Sequence, residues 1–230
     1  MRPDDAPALL LQHDLLAPPG ILEDWLRESG MTAMIHHVTE DGELPAPDGF
    51  AFVASLGSRR SPGQTEDPCV ARELKLLRTC VEREVPVLGL CFGGQALAVV
   101  LGGTVEVMGE PELGWCRVET AAPHLIAEGP WLQWHYESFT TPHGAEELAS
   151  SAMGPQAFRL GPHLGVQFHS ESTATSVARW ALHDRDRLPG PLEDYLERLK
   201  VGERRHGRKA ADAARRLFDG FWPGRAQEVA

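Results

Sequence analysis

The 230-residue sequence is 42% hydrophobic and 24% charged, a composition typical of a soluble globular protein that buries a sizeable core. Its formal net charge of −11 argues against nucleic acid and anionic membranes as partners, because both attract positively charged surfaces. The first residues lack the pattern of a signal peptide, and no segment approaches the roughly 20 apolar residues of a membrane span, so we expect a cytoplasmic protein.

Up to residue 103, segments with the apolar pattern of strands alternate with segments with the apolar pattern of helices. Strands are predicted at 8–14, 31–38, 49–57 and 85–90, and helices at 21–30, 69–84 and 93–103. The segment "VPVLGL" at 85–90 is apolar throughout, as expected of a parallel strand covered on both faces. This alternation predicts right-handed crossovers and a mainly parallel sheet.

After residue 103 the pattern changes to short strands, some of which should extend the sheet in the antiparallel direction, followed by helices. The strands are predicted at 104–108, 114–119, 131–135, 147–151, 157–161 and 164–169, and the helices at 176–188, 191–201 and 209–222. The sequence shows no internal repeat and no long linker. It therefore indicates a single α/β domain over 1–230, with 173–230 as a C-terminal helical extension.

The four cysteines, Cys69, Cys80, Cys91 and Cys116, show neither CxxC spacing nor a Cys–His zinc pattern. We therefore expect no disulfide framework, no metal site and no cofactor. Cys69, Cys80 and Cys116 are interpreted as structural residues. Free cysteines are usually buried and inert, and Cys91 needs a separate argument to be treated otherwise.

Cys91 stands where a predicted buried strand meets a predicted helix, in the stretch "GLCFGG". Gly89 and Gly93 flank it with the G-x-nucleophile-x-G spacing of a sharp strand–turn–helix elbow. Such a turn exposes the sulfur above the sheet, and the N-terminus of the helix favours the thiolate. The N–H of the next residue, Phe92, would then point to where an oxyanion forms.

A nucleophilic cysteine needs a base and a group that orients the base. The stretch "LGVQFHSES" at 164–172 reads as a buried strand with His169 at its end. Glu171 lies two residues further, on the same face of extended chain, where a carboxylate can accept the ring N–H of His169. Taken together, these residues predict a Cys91–His169–Glu171 triad.

With this triad and its flanking motifs, the sequence resembles the class I glutamine amidotransferases. The resemblance rests on "PVLGLCFGGQALAVVLGG" and "GVQFHSES", and it includes "ELGW" (112–115), "QWHYESFTTPHGAEELASS" (133–151) and "QAFRLG" (156–161). It covers roughly residues 30 to 180. The resemblance implies a flavodoxin-like amidotransferase fold and the roles of nucleophile for Cys91, base for His169 and orienting carboxylate for Glu171.

Further roles follow from the resemblance alone. Gln95 matches a glutamine that holds the amino-acid end of the substrate, and the backbone near Ser138 and Phe139 is expected to bind the substrate's amino and carboxylate groups. The oxyanion hole is assigned to the backbone N–H groups of Gly57 and Phe92.

Two departures from the family pattern stand out. The oxyanion turn usually contains Gly-Gly or Gly-Pro, whereas this chain has "LGSRRSPG", so the second donor beside Phe92 stays open. The residue after the catalytic histidine is commonly proline and is Ser170 here. That proline restricts the backbone and takes no part in the chemistry, so an active enzyme is still expected.

The resemblance implies hydrolysis of the side-chain amide of glutamine, or of a γ-glutamyl compound, through a thioester. The helical segment 173–230 leaves no room for an ATP-dependent synthetase, so a separate synthetase subunit would receive the ammonia. One alternative is a free-standing γ-glutamyl amide or peptide hydrolase. Another is a non-catalytic partner subunit, which the intact triad disfavours.

Overall fold

The structure, a computed structural model, describes residues 6–222. The strands are β1 (Ala8–Gln12), β2 (Ala33–His37), β3 (Val53–Ser55), β4 (Val87–Leu90), β5 (Val105–Cys116), β6 (Glu119–Thr120), β7 (Trp131–Phe139), β8 (Glu146–Ser151), β9 (Gly154–Leu160) and β10 (His163–Val166). The helices are α1 (Ile21–Glu28), α2 (Pro68–Glu82), α3 (Phe92–Val100), α4 (Ala174–His183) and α5 (Leu192–Phe221), with a short 3-10 helix at Arg185–Arg187. No helix within residues 6–222 combines the length and the apolar character needed to cross a bilayer.

Eight strands form one sheet in the order β2-β1-β3-β4-β10-β9-β8-β6. The strands from β2 to β10 in this order are parallel to one another. β9, β8 and β6 continue the sheet in the antiparallel direction, and β5 pairs with β7 in a separate antiparallel ribbon. The predicted α/β fold with a mainly parallel sheet and an antiparallel extension is confirmed.

Apolar side chains cover both faces of the sheet. In β1, Leu10 packs in the cluster shared with α1 and α5, whereas Leu9 and Leu11 pack in the cluster shared with α2 and α3. All three leucines are completely buried. Successive strand residues point to opposite faces, so a strand covered on both faces must be apolar throughout.

The end of the chain departs from the prediction. Separate helices are predicted at 191–201 and 209–222, but α5 is one helix of 30 residues that runs through the basic segment between them. Gly202 and Gly207 lower the helix propensity of that segment, which is why the sequence suggests a break there. The prediction fails because Gly202 serves a tertiary contact: the indole of Trp115 lies directly against it.

The strands after residue 103 also differ from the prediction. β5 is a single 12-residue strand where two short strands are predicted. Its pairing with β7 shifts register between Val107 and Glu112, and this irregularity includes Pro111. In the sequence, the proline suggests that one strand ends and another begins, because proline has no N–H to donate to the ladder. The structure accommodates it with the register shift inside one strand.

The C-terminal helices share their cores with the sheet. Val177 of α4 and Leu199 of α5 pack with Leu132 of β7, while Leu217 and Phe218 of α5 belong to the core cluster of the main sheet. This sharing supports a proposal of one domain over 1–230 with 173–230 as a helical extension, although residues 1–5 and 223–230 lie outside the described part.

We expect Gly202→Ala to lower the free energy of unfolding by about 1–3 kcal/mol, because overpacking outweighs the better helix propensity of alanine. A Cβ at Gly202 would lie 2.0 Å from Cδ1 of Trp115. Gly207→Ala is the matched control, because its Cβ would meet only the flexible Glu203 carboxylate, at 2.3 Å. Urea denaturation compares the two variants, and equal effects would contradict this reading of α5.

Candidate active site

Cys91 lies at the turn between β4 and α3. Its φ of 53° and ψ of −108° give it a backbone conformation that residues other than glycine rarely adopt. Such a conformation costs on the order of 1–3 kcal/mol and persists only where the surroundings enforce it. The thiol is buried, and Cys91 is the N-cap of α3, so its sulfur lies at the positive end of a helix.

Glycines surround this turn because the crossing elements leave no room for side chains. A Cβ at Gly89 would lie 2.4 Å from the carbonyl oxygen of Gly93. A Cβ at Gly93 would lie 2.0 Å from the carbonyl oxygen of Ser55 at the end of β3. The predicted spacing of Gly89 and Gly93 around Cys91 thus allows β3, β4 and α3 to meet closely beneath the thiol.

His169 follows β10 and lies between Cys91 and Glu171. Its Nδ1 is 2.7 Å from Oε1 of Glu171, so Nδ1 donates to the carboxylate and Nε2 is left to exchange a proton with Cys91 or a substrate. Ser172 donates a further hydrogen bond to Oε1 of Glu171 at 3.0 Å. The Trp180 ring packs on the imidazole with 4.7 Å between centroids. The three residues of the predicted triad therefore lie next to one another, with His169 between Cys91 and Glu171.

The charge of the site favours a protonated histidine. Burial by itself lowers the pKa of His169, but the negative charges of Cys91 and Glu171, and hydrogen bonds to both, raise the pKa of His169 well above its ordinary value. By contrast, burial raises the pKa of Cys80 to about 12 and that of Cys116 to about 11, so these thiols stay protonated. At Cys91, however, a protonated His169 supplies a positive charge next to the thiol.

This arrangement can perform nucleophilic acyl transfer, since it holds a sulfur nucleophile, a base and a carboxylate that fixes the base. Among residues 6–222, no group of three or more His, Cys, Asp or Glu side chains is placed to hold a metal ion.

Gly57 and Phe92, the predicted oxyanion donors, both lie beside Cys91. A Cβ at Gly57 would be 2.8 Å from Cε1 of His169 and 3.9 Å from Cβ of Cys91. Phe92 is the first residue of α3, where the backbone N–H has no partner within the helix. The structure thus brings both residues to the thiol, and their role as oxyanion donors stays a prediction.

A cavity of about 250 Å³ opens on one side of Cys91. Gln95 lines it, and its Nε2 donates to the carbonyl of Glu137 at 3.0 Å. Tyr136 and Glu137 form another wall, and the Arg187 guanidinium lies 4.0 Å from the centre of the Tyr136 ring. Most of the residues that line this cavity have polar side chains, and we call it the polar cavity. It is large enough for the amino-acid end of a substrate.

Ser138 and Phe139 are not among the described residues that line this cavity. Phe139 is 2% exposed and packs against Phe158, with 5.2 Å between ring centroids. A Cβ at Gly154 would lie 2.7 Å from Oγ of Ser138. Tyr136 provides the wall instead, because β7 continues to Phe139 rather than ending at 135. Substrate contact at Ser138 and Phe139 stays a prediction, and neither residue lines the described cavity.

Two residues that contact the triad were not predicted from the sequence, Gln167 and Trp180. Nε2 of Gln167 lies 3.8 Å from Sγ of Cys91, and Oε1 of Gln167 accepts a hydrogen bond from Gln95 at 3.2 Å. Gln167 lies within "GVQFHSES", and a polar side chain inside an otherwise apolar strand was the signal available. Trp180 carries no such signal, since only the packing of α4 brings it to His169.

The loop after β3 is held by ion pairs that the sequence does not reveal. Arg59 pairs at 2.7 Å with Asp184, a buried carboxylate at the end of α4. Arg60 pairs with Asp67 at 2.7 Å. Asp67 is the N-cap of α2, and its side chain also accepts the N–H of Cys69. These contacts tie the loop to the end of α4 and to the start of α2.

A second, smaller cavity of about 60 Å³ lies on the His169 side of Cys91. Its apolar lining comes from the segment after β1, from β7 and from α4. The lining residues of this kind are Leu16, Ala17, Trp134 and Trp180. Cys91 is therefore the meeting point of a polar cavity and an apolar one.

Comparison with known proteins agrees with this geometry. The sequence model of the family "Glutamine amidotransferase class-I" matches residues 24–184. The structure is similar to that of a glutamine amidotransferase from Thermotoga maritima, with a TM-score of 0.81 and 27% identity over 94% of this chain and 98% of that one. It is also similar to a glutamine amidotransferase from Methylobacillus flagellatus, with a TM-score of 0.81 and 25% identity over 95% and 94%.

A curated relative, the GMP synthase [glutamine-hydrolyzing] of Thermomicrobium roseum, is 39% identical over 104 residues. That alignment covers 42% of this chain and 20% of the relative. A GMP synthase of Aeropyrum pernix is matched over 31% of its length. The chain thus spans between a fifth and a third of these curated relatives, and the similarity concerns one part of longer proteins.

Cys91→Ala should lower the pKa of His169, because it removes the charge and the hydrogen bond that raise this pKa while burial still lowers it. NMR titration of the His169 ring, assigned against the spectrum of His169→Gln, measures the change. Stability gained from the raised pKa is full below the unfolded value near 6.5 and is lost as pH rises through the folded pKa. Cys80→Ala is the control, and an unchanged His169 pKa in Cys91→Ala would contradict the contact.

Proposed function

The chain belongs to the class I glutamine amidotransferase family, whose members are cysteine-dependent amide hydrolases, and we propose that it hydrolyses the side-chain amide of glutamine through a thioester on Cys91. The observation that carries this proposal is the position of His169, whose Nδ1 lies 2.7 Å from Glu171 and whose ring lines the same cavity as Cys91. A structural cysteine has no need of such a base.

In the proposed reaction the Cys91 thiolate attacks the amide carbon, a C–S bond forms, and the carbonyl electrons move onto oxygen. The N–H groups of Gly57 and Phe92 stabilise this oxyanion. His169 then gives its Nε2 proton to the amide nitrogen, the C–N bond breaks and ammonia leaves. His169 next deprotonates a water that attacks the thioester, which releases glutamate and restores the thiolate.

The polar cavity supports the binding of the amino-acid end of glutamine. Gln95 and the backbone near Tyr136 and Glu137 line it next to the thiol. We assign the substrate's amino and carboxylate groups to this cavity, with Gln95 as a direct contact. Contact with the backbone at Ser138 and Phe139 would require the end of β7 to move from its present packing.

We further propose that the ammonia passes to a separate ATP-dependent synthetase in the cytoplasm. The support is the similarity to one part of GMP synthases, which carry the words "glutamine-hydrolyzing" in their names. The described residues after Glu171, up to residue 222, include α4 and α5, which pack against β7. The proposed reaction requires no cofactor and no metal, and neither nucleic acid nor a membrane is proposed as a partner.

The apolar cavity favours a second candidate, a γ-glutamyl amide hydrolase. The departing nitrogen receives its proton from His169, so any group attached to that nitrogen must lie on the His169 side of Cys91. The cavity there measures about 60 Å³. A water-sized molecule such as ammonia needs only about 10–15 Å³ on this measure. The spare apolar room, beside Leu16 and Trp180, would accept a small apolar amine.

Cys91→Ala should abolish glutamate release, by at least about 10³-fold, because only the sulfur can form the thioester. Cys69→Ala is the matched control, since Cys69 lies at the start of α2 away from both cavities, and it should keep most of the activity. Glutamate release and circular dichroism are measured for both variants. Full turnover by Cys91→Ala with an intact fold would refute the nucleophile assignment.

Turnover of glutamine should be slow in the isolated protein and should rise when the synthetase partner is added. Steady-state rates for glutamine are compared with those for γ-glutamyl methylamide, propylamide and glycine, each with and without a candidate synthetase. Fast partner-free hydrolysis of γ-glutamyl propylamide, with glutamine a poor substrate, would replace the amidotransferase proposal with the hydrolase candidate. Trp180→Ala should then raise the KM for the propylamide more than the KM for glutamine.

A further inference from the structure

Three buried polar side chains that take no part in the proposed reaction form a connected group beneath the oxyanion loop, defined here as residues 56–60. The carboxylate of Glu73, in α2, lies 2.6 Å from Nε2 of His13 and 2.6 Å from Oγ of Ser55. The exposed fractions are 1% for Glu73, 6% for His13 and 0% for Ser55. The group thus joins α2, the end of β3 and the segment after β1.

The hydrogen bonds in this group show which atoms donate and which accept. Each carboxylate oxygen of Glu73 accepts one bond: Oε1 from the Ser55 hydroxyl and Oε2 from His13. Nδ1 of His13 has no hydrogen-bond partner among the described residues, and Nε2 carries the proton that Glu73 accepts. A buried carboxylate is costly unless such bonds compensate it, whereas an apolar side chain would fill the same space without that cost.

Both hydrogen bonds lead to a proposed oxyanion donor. Ser55 is the last residue of β3 and lies two residues before Gly57, so its hydroxyl fixes the point where the oxyanion loop leaves the sheet. The ring of His13 packs edge-on against Phe92, with 4.9 Å between centroids and 67° between ring planes. Phe92 is the residue whose N–H is the other proposed donor. Glu73 therefore contacts the supports of both donors at once.

We propose that Glu73 is a positioning residue for the oxyanion hole. Its carboxylate holds Ser55 and His13 in a fixed relation, and thereby sets the distance between the N–H groups of Gly57 and Phe92. Glu73 does not contact the substrate, and it leaves the Cys91–His169 pair untouched. This inference rests on the function proposed above, because it assumes that an oxyanion forms beside Cys91.

The test compares Glu73→Gln with Glu82→Gln, an exposed glutamate on the same helix. An amide nitrogen cannot accept a hydrogen bond, so Glu73→Gln deprives either Ser55 or His13 of its acceptor. We expect kcat to fall roughly 10- to 100-fold, with KM changed by less than about threefold, since an oxyanion donor acts in the transition state. Glu82→Gln should leave both constants unchanged.

A second readout separates positioning from general damage. Iodoacetamide alkylates a thiolate at a tetrahedral carbon and creates no oxyanion, so its rate reports the Cys91 thiolate alone. Peptide mass spectrometry should show Cys91 labelled at the same rate in Glu73→Gln and in the unmodified protein. Ser55→Ala, which removes only one hydroxyl, should lower kcat in the same way but by less. Loss of alkylation together with turnover would overturn the proposal.

Hydrogen exchange keeps the test independent of turnover. Exchange of the backbone N–H groups in the oxyanion loop should quicken in Glu73→Gln and Ser55→Ala but not in Glu82→Gln. If the unmodified protein hydrolyses no γ-glutamyl substrate, the proposed function fails, and unchanged exchange in the loop would separately overturn the role of Glu73. Faster exchange in the loop with kcat unchanged would also overturn it, because the loop would then be loosened without effect on catalysis.

Discussion

The backbone hydrogen bond from the N–H of Cys91 to the carbonyl of Val166, 2.9 Å long, ties the strand of the nucleophile to the strand of the base. β4 and β10 are parallel neighbours in which Leu90 pairs with Val166, so their carboxyl ends stop at one edge of the sheet. Cys91 and His169 extend from these two ends. Their separation is therefore set by rigid sheet geometry, which holds reacting groups more accurately than a loop does.

Two buried pairs of histidine and glutamate flank the turn at Cys91. In one, Glu171 holds His169 at 2.7 Å and directs the ring to the sulfur. In the other, Glu73 holds His13 at 2.6 Å, and the ring lies against Phe92. The pairs share their chemistry and differ in what the ring meets. One ring can exchange a proton with a reacting group, whereas the other packs edge-on against an apolar side chain.

Local sequence patterns predicted the features that depend on local physics. The spacing of Gly89 and Gly93 around Cys91 reports steric crowding within a few residues, so it can be read directly. The structure contains the predicted elbow and the contact of His169 with Glu171, although neither tests catalysis. The ion pair of Arg59 with Asp184 joins segments that are distant in the chain, and no local sequence pattern near either residue predicts it. The wall at Tyr136 depends on where β7 ends, a boundary that propensity does not fix.

The aromatic end of α5 has a consequence for how the protein is made. Phe221 packs edge-on against Phe52, and Trp25 of α1 packs on Phe218 and donates to Asp219 at 2.8 Å. One face of the first strands is thus covered by residues that are synthesised long after those strands. During translation that face stays open to water and to chaperones, and the nascent chain completes its core only when residues 213–221 emerge.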